Sequence, residues 1–228
     1  HIEGLNTEYI DELLETCILS RALERPKTEV EGRFKRAIRE CNAHGSKQQM
    51  YNIVYEHAWT SFFWYEDIEA VRCDYNTLKS FLEELCNVTR IEKFTNILNN
   101  IVNSAKAGMI SEDFIKSEIN YIYNLEKKLK KDSNHNSSLL YLQIYIHEQY
   151  IIEHVDDKEE LNNAIKEIKP LLIESASHLE ISIEAHYKII KMLSSFVGEN
   201  KDLEILIDEI ADIIAERRSK AEAARVRL

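Results

Sequence analysis

The sequence predicts an all-α protein, an α-solenoid of about five antiparallel hairpins of long helices. Three observations lead there. The 228 residues include five glycines and two prolines, too little punctuation for the many turns of an all-β fold. Apolar residues recur at helical spacing along most of the chain. The residues expected to open the first helix of each hairpin, Thr7, Ser46, Thr89, Ser137 and Ser182, stand about 39 to 48 residues apart, the interval of two-helix repeats. An amphipathic hairpin cannot cover its own apolar face, but the next hairpin can, so the expected organisation is a single helical-repeat domain over residues 1–228.

The first helix is expected from Thr7 to Leu23, with Ile10, Leu13, Leu14, Cys17 and Ile18 on one face and a stop before Pro26. The second opens at Thr28-x-x-Glu31, a capping-box pattern, carries Val30, Phe34, Ala37, Ile38 and Cys41 inward, and ends at Gly45. Residues 46–86 form the stretch around which the chain is organised. Ser46-x-x-Gln49 opens a long helix in which Tyr51, Tyr55, Trp59 and Phe62 make an aromatic stripe, expected to be mainly core, beside a small-residue notch at Ala58 and Ser61. Asp74 reads as the cap of its partner, whose apolar face is Leu78, Phe81, Leu82 and Leu85.

Thr89-x-x-Glu92 then opens a helix through Ile91, Phe94, Ile97, Leu98, Ile101 and Val102, interrupted by Gly108. Its partner starts near Ser111, buries Phe114, Ile115, Ile119, Ile122 and Leu125, and ends in lysines that suit its C-terminal dipole. Residues 132–138 read as a loop. A helix over about 138–154 follows, then an Asp156-Asp157 cap and a helix through Leu161, Ala164, Ile165, Ile168 and Leu172 that Pro170 should bend or restart. The last pair runs from Ser182 to Val197 and, after Gly198, from Lys201 through Ile214. Residues 216–228 have no helix stop, a basic excess and little to bury, so they are expected to project as a helix leading into a further region or partner. Residues 1–5 read as a tag remnant or the cut edge of a longer protein.

The net charge of −11 disfavours a nucleic-acid backbone as partner. No apolar run reaches the ~20 residues that span a bilayer, so no membrane is expected. The four cysteines are scattered singly, which suits small buried hydrophobes in a reducing compartment and points to the cytoplasm. No glycine-rich phosphate cradle or nucleophile elbow occurs, and no cofactor is expected.

The span from Phe62 to Leu85 resembles a tetratricopeptide (TPR) repeat. Tyr75 stands for the aromatic that opens the second TPR helix, Phe62 and Tyr65 for signature positions on the first, and Leu78, Leu82 and Leu85 for the ladder of the second. Cys73 takes the place of the usual Gly and Arg90 that of the closing Pro, while Ala164, Ile168 and Leu171 echo the ladder more faintly. The resemblance is to divergent, long-helix TPR-like arrays, and it implies a surface that recognises proteins or peptides.

Two kinds of site follow. Arg39 and His44 form an R-x4-H arrangement similar to that of HEPN ribonucleases, in which Arg steadies a phosphate and His moves a proton; His44 equally suits a helix C-terminus. Phe63, Trp64 and Tyr65, off the aromatic stripe, are placed to reach the surface, and Glu56, Glu66, Asp67 and Glu69 beside them would favour a basic partner. The groups His147, Glu148, Glu153, His154 and His178, Glu180, Glu184, His186 fit no metal template and read as helix polar residues. The expected function is protein or peptide binding, as a regulatory or scaffolding part of a larger cytoplasmic protein. The alternatives are a HEPN-type ribonuclease and a sensor of a small ligand or signal peptide.

Overall fold

A computed structural model describes residues 2–84, 86–132, 136–198 and 200–227. The expected apolar positions Leu85 and Leu228, and residues 133–135 of the expected loop, lie outside them. Eleven helices and no strand occur among the described residues: α1 (Ile2–Ala22), α2 (Lys27–His44), α3 (Lys47–Tyr65), α4 (Ile68–Glu84), α5 (Val88–Lys106), α6 (Glu112–Leu129), α7 (Asn136–Glu153), α8 (Lys158–Ala176), α9 (Ile183–Val197), α10 (Lys201–Arg217) and α11 (Lys220–Arg227). The protein is an all-α chain of helical hairpins in which sequence neighbours pack on one another. It divides into two compact units, His1–Cys86 with Glu92–Ser117, and Asn87–Ile91 with Glu118–Leu228.

In the first unit α1 packs on α2, α3 on α4, and both α1 and α2 on α3. The expected inward residues Ile10, Leu13 and Cys17 from α1 and Val30, Phe34, Ala37 and Cys41 from α2 meet there, joined by Ile53 from α3. Tyr75 of α4 stacks on Phe94 of α5 with centroids 4.7 Å apart.

Several boundaries differ from expectation. Helix α1 begins at Ile2, so Thr7 lies inside it. Pro26, with φ −50° and ψ 140°, occupies the N-cap of α2, and its carbonyl accepts from the amides of Glu29 and Val30. Thr28 therefore falls in the first turn, because the proline's fixed φ already sets the entry of the chain. Asn87, not Thr89, caps α5, its side chain accepting from the Arg90 amide at 3.0 Å. The Ser46 capping box forms as expected, with the Gln49 amide donating to Ser46 Oγ at 3.2 Å and the Ser46 amide to Gln49 Oε1 at 3.0 Å.

The largest correction concerns Asp74. The turn between α3 and α4 lies earlier, at Glu66 and Asp67, and Asp74 sits inside α4. Glu66 takes the left-handed conformation (φ 50°) that closes α3, the Asp67 amide donates to the Ser61 carbonyl at 2.9 Å, and Asp67 Oδ1 accepts from the Ala70 amide at 3.1 Å. Tyr75, expected to open a helix, is accordingly mid-helix as well.

In the second unit α7 pairs with α8, and α9 and α10 pack on α8 and on each other. Asp157, Ser182 and Asn200 cap α8, α9 and α10 through their side chains. Helix α8 runs through Pro170 without starting a new segment. The tail does not project. Helix α10 stops at Arg217, Arg218 donates to the carbonyls of His178 and Ile181, and α11 turns back onto α9 and α10, burying Ala223 and Val226. Arg227 reaches Asp208 at 3.1 Å and Asp212 at 2.7 Å, and Arg225 pairs with Glu184. The basic excess of the tail is thus matched by the acidic residues of α9 and α10, which adds to the small apolar area that the segment buries.

Candidate functional site

Helix α3 has two different faces. Tyr51, Ile53, Val54, Ala58, Thr60 and Ser61 are buried, the small residues allowing close approach of neighbouring helices. Tyr55, Trp59 and Phe63, at i, i+4 and i+8, run along another face and touch ring to ring, at 5.9 Å and then 4.5 Å between centroids. Phe62 meets the edge of Phe63 at 4.8 Å. Of the stripe expected to be core, only Tyr51 is fully buried; Tyr55, Trp59 and Phe62 are half-buried. Phe63 is 51% exposed and Trp64 43%, while Tyr65 is half-buried.

A cation stands on each side of this face. From α1, Arg21 pairs with Glu56 at 2.7 Å, donates to Thr60 Oγ1 at 2.8 Å, and lies 5.0 Å from the Trp64 ring centroid. From α5, the Lys93 ammonium lies 5.0 Å from the Tyr55 centroid and donates to Asn52 Oδ1 at 2.8 Å. Burial pushes the Lys93 ammonium below its ordinary range, against the pull of Glu56 and Glu92. The Tyr55 hydroxyl, also shifted upward by burial, is hydrogen-bonded to Asn96 of the same helix α5.

Against the opposite side of α3 lies a charged cluster that local sequence patterns do not reveal. His57 Nδ1 is 2.6 Å from Asp74 Oδ2 of α4, and its Nε2 is 3.2 Å from Glu31 Oε2 of α2. The edge of Phe34 packs at 5.0 Å. Burial works against the charged imidazole, but hydrogen bonds and charge from Asp74 and Glu31 outweigh it and hold His57 above its ordinary pKa. Burial raises Asp74 too, more than the imidazole lowers it. A carboxylate at each ring nitrogen favours the doubly protonated ring, whose two N–H groups can donate one to each. The arrangement ties α2, α3 and α4 together.

The carboxylates expected to attract a basic partner are largely engaged within the chain. Glu56 is held by Arg21, Asp67 by Lys27 at 2.9 Å, and Glu69 by Arg72 at 3.0 Å. Glu66 is exposed at the α3–α4 turn. Lys27 also lies 5.1 Å from the Tyr65 ring. Arg39 is exposed and pairs with Glu40 at 3.0 Å, and His44 is exposed in the last turn of α2; among the described residues no hydrogen bond or ion pair joins the two.

The histidines weighed for metal binding are dispersed. Glu148 is buried against Lys188 at 2.6 Å, His154 stacks on Tyr150 at 4.1 Å, and His178 Nδ1 is 3.0 Å from Ser137 Oγ. His186 is buried with Nε2 at 2.7 Å from Ser175 Oγ and Nδ1 at 3.1 Å from the Ser182 carbonyl. Among the described residues no group of three His, Cys, Asp or Glu side chains is arranged to hold a metal.

Of the residues expected to reach the surface, Phe63 and Trp64 are exposed; Arg21, Lys93, Asn52 and the His57 cluster carry no local sequence signal. The spacing of Tyr55, Trp59 and Phe63 at i, i+4 and i+8 was the available signal for the aromatic face. The other partners come from different hairpins, where no local spacing marks them.

Fold and site together define a helical-repeat protein with a partly exposed aromatic face flanked by cations, and no helix of the described residues is long and apolar enough to cross a membrane. No protein-family model, no curated protein and no solved structure matches the chain.

Proposed function

We propose that this chain is a protein- or peptide-binding helical-repeat module, of regulatory or scaffolding use, whose anchoring surface is the face of α3 carrying Tyr55, Trp59, Phe63 and Trp64. The observation that carries the reading is the exposure of two adjacent large aromatics, Phe63 and Trp64, at the end of a helix otherwise used for packing. Aromatic side chains supply most of the binding energy in many protein interfaces, because their rigid rings bury large area at little entropic cost. Here the rings are already ordered, Phe63 by Trp59 and Phe62, and Trp64 by Arg21. A preorganised face loses less freedom on association. The mainly intramolecular pairing of the neighbouring acids leaves apolar contact as the leading source of affinity.

The test is panning of a random peptide library on the immobilised protein, followed by solution affinities of the recovered peptides. Phe63→Ser with Trp64→Ser should weaken those peptides by at least about tenfold, the scale of a lost interface anchor, while leaving the helical circular dichroism unchanged. Peptides that bind the double variant as well as the parent chain place recognition elsewhere and overturn the reading.

A further inference from the structure

The geometry points to an acidic–apolar peptide segment as the occupant of this face: a large apolar side chain seated on Trp59 and Phe63, with an Asp or Glu carboxylate beside it on Lys93. This deepens the reading above and rests on it.

The two edges of the face differ in charge. Arg21 and Lys93 both lie against aromatic rings of α3, but only Arg21 has a carboxylate, Glu56. Among the described residues Lys93 forms no ion pair; its ammonium donates to the neutral Asn52 Oδ1 and rests on Tyr55. A half-buried ammonium normally recovers its lost hydration from a carboxylate, and an amide oxygen with a ring face compensates only in part. The depressed Lys93 pKa reflects that shortfall. Glu56, one of the two acids acting on it, is already bound by Arg21. An entering carboxylate gains a charge-assisted hydrogen bond in a site whose desolvation cost has been met in folding.

The apolar half of the segment is set by the ring row. Trp59 and Phe63 follow Tyr55 along the helix, so the carboxylate position at Lys93 and the apolar position at Phe63 are roughly two helical turns apart on one face, a distance of about 10 Å. A pair of neighbouring residues, one acidic and one with a long apolar side chain, spans it. A basic segment is disfavoured at this place, since it would bring a second ammonium or guanidinium beside Lys93 and Arg21.

The experiment uses three probes that share an apolar body and differ in charge: 4-phenylbutyrate, 4-phenylbutan-1-ol and 4-phenylbutylammonium. Each is titrated into the full chain, and binding is read from the indole N–H resonances of Trp59 and Trp64 and the amides of α3. The expected order is butyrate first, the alcohol about tenfold weaker, the ammonium weakest. In Lys93→Met, which keeps the apolar stem, butyrate and alcohol should bind alike; Lys93→Gln serves as a second variant should the first lose its native spectrum. Equal binding of butyrate and alcohol to the parent chain, or tightest binding of the ammonium, overturns the acidic partner and leaves the peptide-binding reading standing. A butyrate preference that survives in both variants overturns the assignment to Lys93. If no probe shifts Trp59 or Trp64, the proposal fails at its apolar half, and peptides from the panning experiment decide whether the face binds anything.

Discussion

Each unit of the molecule packs a histidine against neighbouring helices, His57 half-buried and His186 fully buried, and the two are used in opposite ways. His57, in the first, lies between the carboxylates of Asp74 and Glu31 and is held above its ordinary pKa. His186, in the second, lies between the Ser175 hydroxyl and the Ser182 carbonyl, and burial pushes it down to about 4. Both rings are hydrogen-bonded at both nitrogens. Partner charge decides how burial is answered: two carboxylates make burial of a cation tolerable, whereas the Ser182 carbonyl offsets the desolvation of His186 only in part, the Arg218 charge adds to it, and the ring stays neutral. The first arrangement ties helices by charge, the second by a neutral hydrogen bond that fixes a helix end.

Replacing His57 has the largest expected effect. His57→Leu leaves the half-buried carboxylates of Asp74 and Glu31 facing an apolar side chain, a loss that costs up to about 3–5 kcal/mol. Urea denaturation at neutral pH should show that loss, and His57→Leu with Asp74→Leu should recover much of it. A single variant as stable as the parent chain would mean that the imidazole carries no charge.

Next in size is the pH dependence, which has opposite sign at the two sites. His57 has a raised folded pKa, so its contribution is fully present below the unfolded value of about 6.5 and is lost as pH rises through the folded one. His186 has a depressed folded pKa: stability is present above about 6.5 and is lost as pH falls from there to about 4, roughly 3 kcal/mol for a shift of this order. Imidazole carbon resonances followed against pH should therefore show His57 protonated where His186 is neutral. A common midpoint for both would erase the distinction.

The smallest effect tests the neutral arrangement. Ser175→Ala removes one partner of His186 and leaves a buried ring nitrogen unsatisfied, at about 1–3 kcal/mol. Thermal unfolding should move accordingly, and the pH dependence assigned to His57 should not.

The sequence made legible whatever depends on neighbours along the chain. The Ser46 box and the Asp157 and Ser182 caps formed as their local patterns require, and helical periodicity located the core residues of α1 and α2. It misread positions where distant residues intervene. Asp74 looks like a helix cap, but His57 recruits its carboxylate from another helix, and the turn closes instead at Glu66, a left-handed residue that no glycine announces. Periodicity put Tyr55 and Trp59 on one face without saying whether another helix covers it. The tail offered too little apolar area to suggest docking, and the acids that hold Arg225 and Arg227 lie in earlier helices.

The His57 cluster also bears on the order in which the chain assembles. A capping box closes within four residues and is available to an isolated helix, whereas this cluster bridges separations of 26 and 17 residues and needs α2, α3 and α4 all in place. A contact that needs three helices in place is expected to form after the local turns, which puts its energy on the barrier to opening: His57→Leu should speed unfolding of the first unit more than it slows folding.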